Sequence, residues 1–358
     1  MHIDKFEEAM MNCRFCFMCR HLSAVGNVRF TEADTPRIRA AMIYGLRTGT
    51  TKLDDPDFIE TLYRQDLSAC CRFHCVNHYD ENGLALAARA DVVEAGFAPE
   101  AVKKLAKKLA ATSSWKASGK GKVALFIDET TASDKAEVAA LQKLMKKAAG
   151  DYVTVTGGCI GKALKILGFL DDAKAAAAKF ADFLNGLGVD EVVCANPAAL
   201  DALRNDYPEF GVKLAAKPYC TAGYLLEKKV KFAKRFERSE NSRSGAKAYA
   251  GALYYLADDF MRNYVGCDCP EKLLKALKAD EKPFGTNPEE TYNCGEGAVV
   301  LDKLYPEIVK SLAQYVAARA DDPKKDQIVT LGVYAKTQLV KYGKLNVRTL
   351  NEIAAACL

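Results

Sequence analysis

The chain has 358 residues, of which 49% are hydrophobic and 27% are charged, and its formal net charge is +5. This length is too great for one ordinary hydrophobic core and predicts two or three domains. The positive charge is spread over helix-like stretches and is not gathered with aromatic residues, so it does not indicate nucleic-acid binding. No apolar run approaches the roughly 18 residues of a transmembrane helix. The first residues also lack a secretory signal, so we expect a cytoplasmic protein.

The first 112 residues predict a helical domain, because apolar residues recur there at three- and four-residue spacing. Proline near the first turn supports several of the helices. The predicted helices cover residues 36–46, 56–71, 84–95 and 99–111. A Ser/Gly/Lys-rich stretch over residues 113–122 predicts a linker.

After this linker, strand-like runs alternate with helical runs. The runs GKVALFIDE, DYVTVTGG and DEVVCANP are rich in β-branched residues, and helical stretches separate them. A weak repeat relates residues 154–203 to residues 290–339, each copy starting with a strand that ends at a Gly/Cys turn. The predicted fold class is therefore α/β, with parallel pairing and two related halves over 123–225 and 226–358.

Thirteen cysteines in a chain expected to be cytoplasmic indicate metal or redox chemistry, and not a disulfide scaffold. The strongest pattern is Cys13-x-x-Cys16-x-x-Cys19, three thiols that can bind three irons of one cubane cluster. In bacterial two-cluster ferredoxins a fourth cysteine follows after three residues, precedes a proline and ligates the other cluster. Here that position is Ser23.

A second copy of this spacing reads Gln65-x-x-Ser68-x-x-Cys71-x-x-x-Cys75, with the first two cysteines lost. By the same crossover rule, Cys75 should return to the cluster held by the first run. We therefore predict one [4Fe-4S] cluster and one lost cluster. The predicted ligands are Cys13, Cys16, Cys19 and Cys75, with Cys71, Cys70 and His21 as alternatives.

A zinc ion is the alternative occupant, because a histidine could complete a tetrahedral site with the three thiols. All four histidines lie in the first 78 residues, beside six of the cysteines, and His21, His74 and His78 are the candidates. Other neighbours are predicted to tune the site. The arginines that flank the thiolates are Arg14, Arg20 and Arg72, and the side chains expected to exclude water are Phe15, Phe17, Met18 and Phe73.

Three segments resemble a known family: CRFCFMCRHLSAVGNV, TPRIRAAM and LSACCRFHCVNHYDENGLALAARADVVEAG. They are similar to the iron–sulfur subunit of anaerobic glycerol-3-phosphate dehydrogenase, to glycolate-oxidase iron–sulfur subunits and to heterodisulfide-reductase B/D subunits. The remaining chain resembles their paired cysteine-rich CCG domains. The resemblance implies a helical ferredoxin-like domain followed by two CCG-type α/β halves. It also implies an electron-transfer subunit without catalytic residues of its own.

The resemblance further implies a flavoprotein partner that carries FAD and acts on a small hydroxy acid or polyol. This chain would carry no FAD, and it would reach a membrane only through that partner. Two other functions remain alternatives. One is a catalytic subunit similar to heterodisulfide reductase, with a cluster in the CCG halves. The other is a structural or regulatory protein stabilised by zinc.

The CCG motifs depart from the family pattern. The Cys-Cys-Gly turns read Gly158-Cys159-Ile160 and Asn293-Cys294-Gly295, and no thiol follows Pro197. The family's His-Asp turn appears as Asp258-Asp259, without histidine. We therefore expect no catalytic cluster in the halves, although a residual metal site among Cys159, Cys267, Cys269 and Cys294 is an alternative. The thiols expected to serve mainly in packing are Cys159, Cys194, Cys220, Cys294 and Cys357.

Overall fold

The computed structural model describes residues 1–13, 16–237 and 250–358. Its first part is helical, as predicted. The helices are α1 (Glu7–Asn12), α2 (Ala24–Arg29), α3 (Pro36–Thr48), α4 (Pro56–Tyr63), α5 (Glu81–Glu94) and α6 (Glu100–Ala111). Side-chain caps fix two of the starts: Asp55 accepts the N–H of Asp57, and Asp80 accepts that of Gly83. The central helix α5 is buried along most of its length.

The helix predicted over residues 56–71 is wrong beyond Tyr63. Leu67 and Ala69 have φ angles of 52° and 60°, in the left-handed region. Helical hydrogen bonding cannot continue through such residues, so α4 ends and the chain turns back. A short 3₁₀ turn over Cys70–Phe73 follows. This reversal carries the second cysteine segment towards the N-terminal loop.

The first sheet has five strands in the order β1-β3-β2-β4-β5. The strands are β1 (Trp115–Gly119), β2 (Val123–Asp128), β3 (Val153–Gly157), β4 (Glu191–Cys194) and β5 (Lys217–Cys220). The helices between and after them are α7 (Glu129–Ala132), α8 (Lys135–Ala149), α9 (Lys162–Leu167), α10 (Leu170–Gly186), α11 (Pro197–Asp201), α12 (Tyr207–Glu209) and α13 (Thr221–Glu227). Strands β2 to β5 pair in parallel, as predicted.

Edge strand β1 lies inside the stretch predicted as a linker. It pairs antiparallel with β3, and its only packed side chain is Trp115, whose ring centroid lies 4.8 Å from that of Phe180. The other four residues are exposed, so the strand lacks the apolar alternation that a sequence pattern requires. Backbone pairing at the edge of the sheet, together with Trp115, explains why the strand forms.

The second sheet has four parallel strands in the order β7-β6-β8-β9. The strands are β6 (Leu253–Tyr255), β7 (Glu281–Lys282), β8 (Gln327–Thr330) and β9 (Val347–Thr349). The helices are α14 (Cys269–Ala276), α15 (Leu301–Leu304), α16 (Pro306–Ala317), α17 (Val333–Gln338) and α18 (Leu350–Ala356). The strand predicted at the start of the second repeat, near residues 290–294, is wrong. Tyr292 and Cys294 have positive φ angles there, and β7 forms the edge instead.

The two sheets share one strand order, since β3-β2-β4-β5 corresponds to β7-β6-β8-β9. The last helix of each half packs against a helix of the other half: α13 packs against α14, and α18 packs against α8. On α8, Glu137 accepts hydrogen bonds from the Thr349 hydroxyl and from the Asn351 amide, at 2.6 Å for the latter. The predicted α/β fold class is confirmed.

Candidate metal centre

The CxxCxxC loop begins directly after α1. The N–H of Cys13 donates to the carbonyl oxygen of Met10 (3.3 Å), which closes the last turn of the helix. Cys16 is exposed, whereas Cys19 is buried in a 3₁₀ turn over Met18–Leu22. Cys13 is half-buried, so the burial differs at each of the three thiols of the loop. Arg14 and Phe15 lie outside the described residues.

The second cysteine segment begins at the left-handed residue Ala69. Cys70 and Cys71 are buried, and Cys75 is half-buried. The N–H of Cys75 donates to the carbonyl oxygen of Cys71 (3.1 Å), so the two thiols are held one turn apart. The side chain of Cys70 is directed towards Thr291, since its sulfur lies 3.4 Å from the Thr291 hydroxyl.

The structure brings the two segments together. The thiol of Cys71 donates to the carbonyl oxygen of Cys19 (3.4 Å), and the side chain of Asn77 donates to the carbonyl oxygen of Asn12. Cys13 and Cys75 both pack against the apolar core of the N-terminal helices. The charges of Cys13 and Cys16 act on Cys19, and Cys71 contacts it, but among the described residues no three of these thiols have sulfur atoms within 4.8 Å of one another.

Arg39 provides buried positive charge next to these thiols. Burial raises the pKa of Cys19 and of Cys71, and the Arg39 guanidinium opposes this effect in both. The backbone N–H of Arg37 also lowers the pKa of Cys19 by donating to its sulfur. The Nε of Arg39 is buried and has no hydrogen-bond partner among the described residues. The Nη1 of Arg39 donates to the carbonyl oxygen of Asp34 (2.7 Å). A buried guanidinium with an unsatisfied Nε–H near several thiols fits an anionic group held by thiolates.

Two of the arginines predicted to flank the thiolates are occupied elsewhere. Arg20 pairs with Glu32 (3.2 Å), and Arg72 pairs with Glu81 (3.0 Å). The role of Arg39 was not predicted from the sequence, although Arg39 lies in the segment TPRIRAAM that carries part of the family resemblance. The helical position that turns Arg39 inward in α3 was the only available signal.

The side chains predicted to exclude water are in fact exposed. Phe17 is 67% exposed, and Met18 and Phe73 are exposed as well; Val76, which was not among the predicted side chains, is 80% exposed. These four residues, which we call the apolar rim, lie within a few positions of Cys16, Cys19 and Cys75. The prediction that they cover the site is wrong for Phe17, Met18 and Phe73, because their neighbours leave much of each side chain in solvent.

Two of the three histidines that were candidate zinc ligands lie close to each other. The rings of His21 and His74 lie 6.3 Å apart, and the Nδ1 of His74 is buried without a partner in the described part of the chain. His78 faces away, with its Nδ1 at 2.8 Å from the carbonyl oxygen of Arg72. His21 and His74 therefore stay candidates for a zinc site.

The two CCG-like turns do not meet. Cys159 lines a cavity of about 400 Å³ together with Asp128, whereas Cys294 lines a separate cavity of about 20 Å³ with Cys70. Where the family has its His-Asp turn, burial raises the pKa of Asp258 to about 6. Burial and the charge of Asp258 also raise the pKa of Glu296. This region holds buried carboxyl groups with raised pKa values where the family pattern would supply metal ligands.

No model of a known protein family matches the chain, and no curated protein matches it. Its fold is similar to the crystal structure of a hypothetical protein from Helicobacter pylori, with a TM-score of 0.57 and 10% sequence identity. The match covers 99% of this chain and 76% of that chain. At this identity the similarity concerns the fold alone. Within the described residues, every helix is too short or too polar to cross a bilayer.

Proposed function

We propose that this chain is an electron-transfer subunit that holds one [4Fe-4S] cluster through Cys13, Cys16, Cys19 and Cys75. The observation that carries the proposal is the hydrogen bond from the Cys71 thiol to the Cys19 carbonyl oxygen, which joins two cysteine segments 52 residues apart. A short loop cannot surround a cube, so a cluster needs a second segment of this kind.

A cubane cluster with four cysteine ligands carries one electron at a time and leaves no open position for a substrate. The residues of this chain would bind the cluster and adjust its charge balance. The guanidinium of Arg39 favours thiolates over thiols, and the N–H of Arg37 donates to the sulfur of Cys19. Both interactions stabilise negative charge in a buried place, which favours the reduced form of a cluster.

The partner in this proposal is a flavoprotein that carries FAD and oxidises a small hydroxy acid or polyol. Two features support a docking partner. The apolar rim leaves large hydrophobic side chains in solvent beside the cysteines, which is the kind of surface that a partner protein covers. A flavin also takes two electrons from a substrate and releases them singly, which a cluster can accept. We propose that the pair works in the cytoplasm, where free thiols stay reduced.

Anaerobic purification tests the cluster. The protein should be brown, with broad absorbance near roughly 400 nm that bleaches on reduction with dithionite, and should contain about four irons per chain. Cys16→Ser should lose most of this iron, because it removes one proposed ligand. Since Cys16 is exposed, the variant should still fold. Cys294→Ser is the matched control and should keep its iron. Equal iron loss in both variants would contradict the assignment, and about eight irons per chain would favour a second cluster in the CCG halves.

A zinc-stabilised structural protein is the second candidate, because the rings of His21 and His74 lie 6.3 Å apart and the two residues are close in sequence to Cys19 and Cys75. It predicts colourless protein with zinc that His74→Ala releases. Purification from the native host under nitrogen would test the partner. A companion that carries FAD would support the electron-transfer function. A monomeric protein without iron would support the zinc-stabilised structural protein.

A further inference from the structure

Three cysteines from two segments of the α/β region, one with Cys220 and one with Cys267 and Cys269, meet outside the candidate metal centre. Cys220 ends β5, Cys267 follows a π-helical turn over Phe260–Val265, and Cys269 begins α14. Their Sγ atoms all lie within 4.8 Å of one another. We call this group the cysteine trio. From the sequence, Cys220 was expected to serve mainly in packing, and Cys267 and Cys269 were candidates for a residual metal site with Cys159 and Cys294, neither of which belongs to the trio.

Local backbone geometry makes room for the three sulfur atoms. The N–H of Gly223 donates to the sulfur of Cys220 (3.2 Å), which fixes that side chain at the start of α13. A Cβ atom on Gly223 would lie 3.2 Å from the Cys220 sulfur and 3.3 Å from the Cys269 sulfur. Any larger residue would therefore crowd the trio, and glycine leaves the space that the sulfurs occupy.

The surroundings of the trio contain buried polar atoms without partners. Burial, followed by the charges of Glu271, Asp258 and Cys220, raises the pKa of Tyr255, which indicates that these groups lie close together. Buried polar atoms normally have a hydrogen-bond partner or a ligand. In the described part of the chain, the side-chain oxygens here that have none are the Tyr255 hydroxyl, Glu271 Oε2, Thr221 Oγ1 and Asp258 Oδ2.

We propose that Cys220, Cys267 and Cys269, when reduced, hold a single Zn²⁺ ion. Zinc binds thiolates at about 2.3 Å in a tetrahedral arrangement, so the sulfurs of one site lie roughly 3.8 Å apart. The Cys220 sulfur lies within 4.8 Å of both other sulfurs, whereas the Cys267 and Cys269 sulfurs are bonded to each other and must separate after reduction to reach this spacing. Glu271, on the first turn of α14, has an unsatisfied carboxylate oxygen, but this oxygen does not lie within 4.8 Å of all three sulfurs, so water is the fourth ligand in this proposal. The ion would join the end of the first sheet to α14 of the second half.

In the structure, Cys267 and Cys269 are joined by a disulfide. Zinc binding therefore requires a dithiol reductant. The dithiol gives two electrons and two protons to the Cys267–Cys269 bond, becomes a disulfide itself and leaves two thiols in the protein. Binding of Zn²⁺ then releases three protons, one from each thiol of the trio. The site thus has an oxidised state without metal and a reduced state that binds zinc.

Metal analysis of the full-length protein tests this site. The protein is reduced with dithiothreitol under nitrogen, freed of the reductant, exposed to Zn²⁺ and desalted. The wild-type chain should retain about one more zinc ion than Cys220→Ser or the double variant Cys267→Ser/Cys269→Ser. Cys194→Ala is the matched control, because Cys194 pairs in register with Cys220 on the neighbouring strand but is not in the trio.

Alkylation of the wild-type chain gives a second measurement that does not depend on a variant folding. Zn²⁺ should slow the reaction of iodoacetamide with Cys220, Cys267 and Cys269 by tenfold or more, as mapped by mass spectrometry. The proposal is overturned if zinc retention is the same in the wild type and the trio variants, if Cys194→Ala loses as much zinc as Cys220→Ser, or if zinc leaves the alkylation of the trio unchanged. Iron content and the 400 nm absorbance report the N-terminal cluster separately.

Discussion

The thiol of Cys71 donates a hydrogen bond of 3.4 Å to the carbonyl oxygen of Cys19. This bond uses the proton of Cys71, so it describes a neutral thiol, and burial raises the pKa of Cys71 well above its usual value. A ligand of iron must instead lose its proton. Cys71 is therefore better suited to fasten the two segments together, which leaves Cys75, one turn further on, as the fourth ligand.

Cys75→Ser should lose cluster iron nearly as completely as Cys16→Ser, because both thiols are proposed to bind the same cube. Cys71→Ala should keep the iron and lower the free energy of unfolding by about 1 kcal/mol through the lost buried contact. Iron analysis and urea unfolding of the three variants check this. Full iron content in Cys75→Ser, with iron loss in Cys71→Ala, would mean that Cys71 is the fourth ligand and that Cys75 is not.

Arg39→Met should make the reduction potential of the cluster more negative by several tens of millivolts, on the order of 1 kcal/mol. The variant removes a buried positive charge that favours the more negative, reduced state. A redox titration followed by electron paramagnetic resonance measures the shift. Arg39→Lys keeps the charge and should stay near the wild-type value. Equal shifts in both variants would mean that Arg39 acts through packing alone.

Val76→Asp should leave iron content unchanged and slow electron transfer from the flavoprotein companion at least tenfold. Val76 is 80% exposed, so a charge there should hardly change the stability of the free protein, but it should weaken an apolar interface with a partner. The measurement is the rate at which the reduced companion bleaches the cluster absorbance. Val340→Asp, at an exposed apolar position on a turn in the second half, is the control. Equal slowing by both variants would argue against docking at the apolar rim.

Glu137→Gln should flatten the dependence of stability on pH between 4.5 and 7. Burial raises the pKa of Glu137 from its usual 4.5 to about 7, so the folded protein binds a proton that the unfolded chain releases. The resulting stabilisation is fully present below pH 4.5, falls as the pH rises and is lost above about 7, a change of about 3 kcal/mol.

Urea unfolding at several pH values checks this prediction. Above pH 7, Glu137→Gln should be more stable than the wild type, because glutamine carries no charge and can still bond to Thr349 and Asn351. Glu8→Gln, at an exposed position on α1, serves as the control and should follow the wild-type curve. Parallel curves for the wild type and Glu137→Gln would refute the assignment.

The sequence predicted the parts of this fold that rest on local patterns. Strands β2, β3 and β4 and helix α3 have strong apolar periodicity, and all four form where expected. Strand β1 could not be predicted, because it depends on pairing with β3 and on one packed side chain, Trp115. The end of α4 was also missed, since the left-handed residues Leu67 and Ala69 are not of the types that usually adopt this conformation.

The candidate site was predicted in part for the same reason. The spacing of Cys13, Cys16 and Cys19 is a local pattern, and the crossover rule named Cys75 as their distant companion. Arg39 and the meeting of Cys220 with Cys267 depend on how distant elements pack, which no short pattern records. His74 was a candidate zinc ligand from the sequence, but the approach of its ring to that of His21 is visible only in the folded structure.

The crossed packing of the two halves has a consequence during translation. Helix α8 completes its burial only against α18, and the bonds of Glu137 reach residues 212 and 214 positions later. A nascent chain that has produced the whole first sheet therefore still exposes the part of α8 that α18 covers. Such surfaces attract chaperones and invite aggregation until the missing helix emerges from the ribosome. The first half, although synthesised early, can reach its final packing only late.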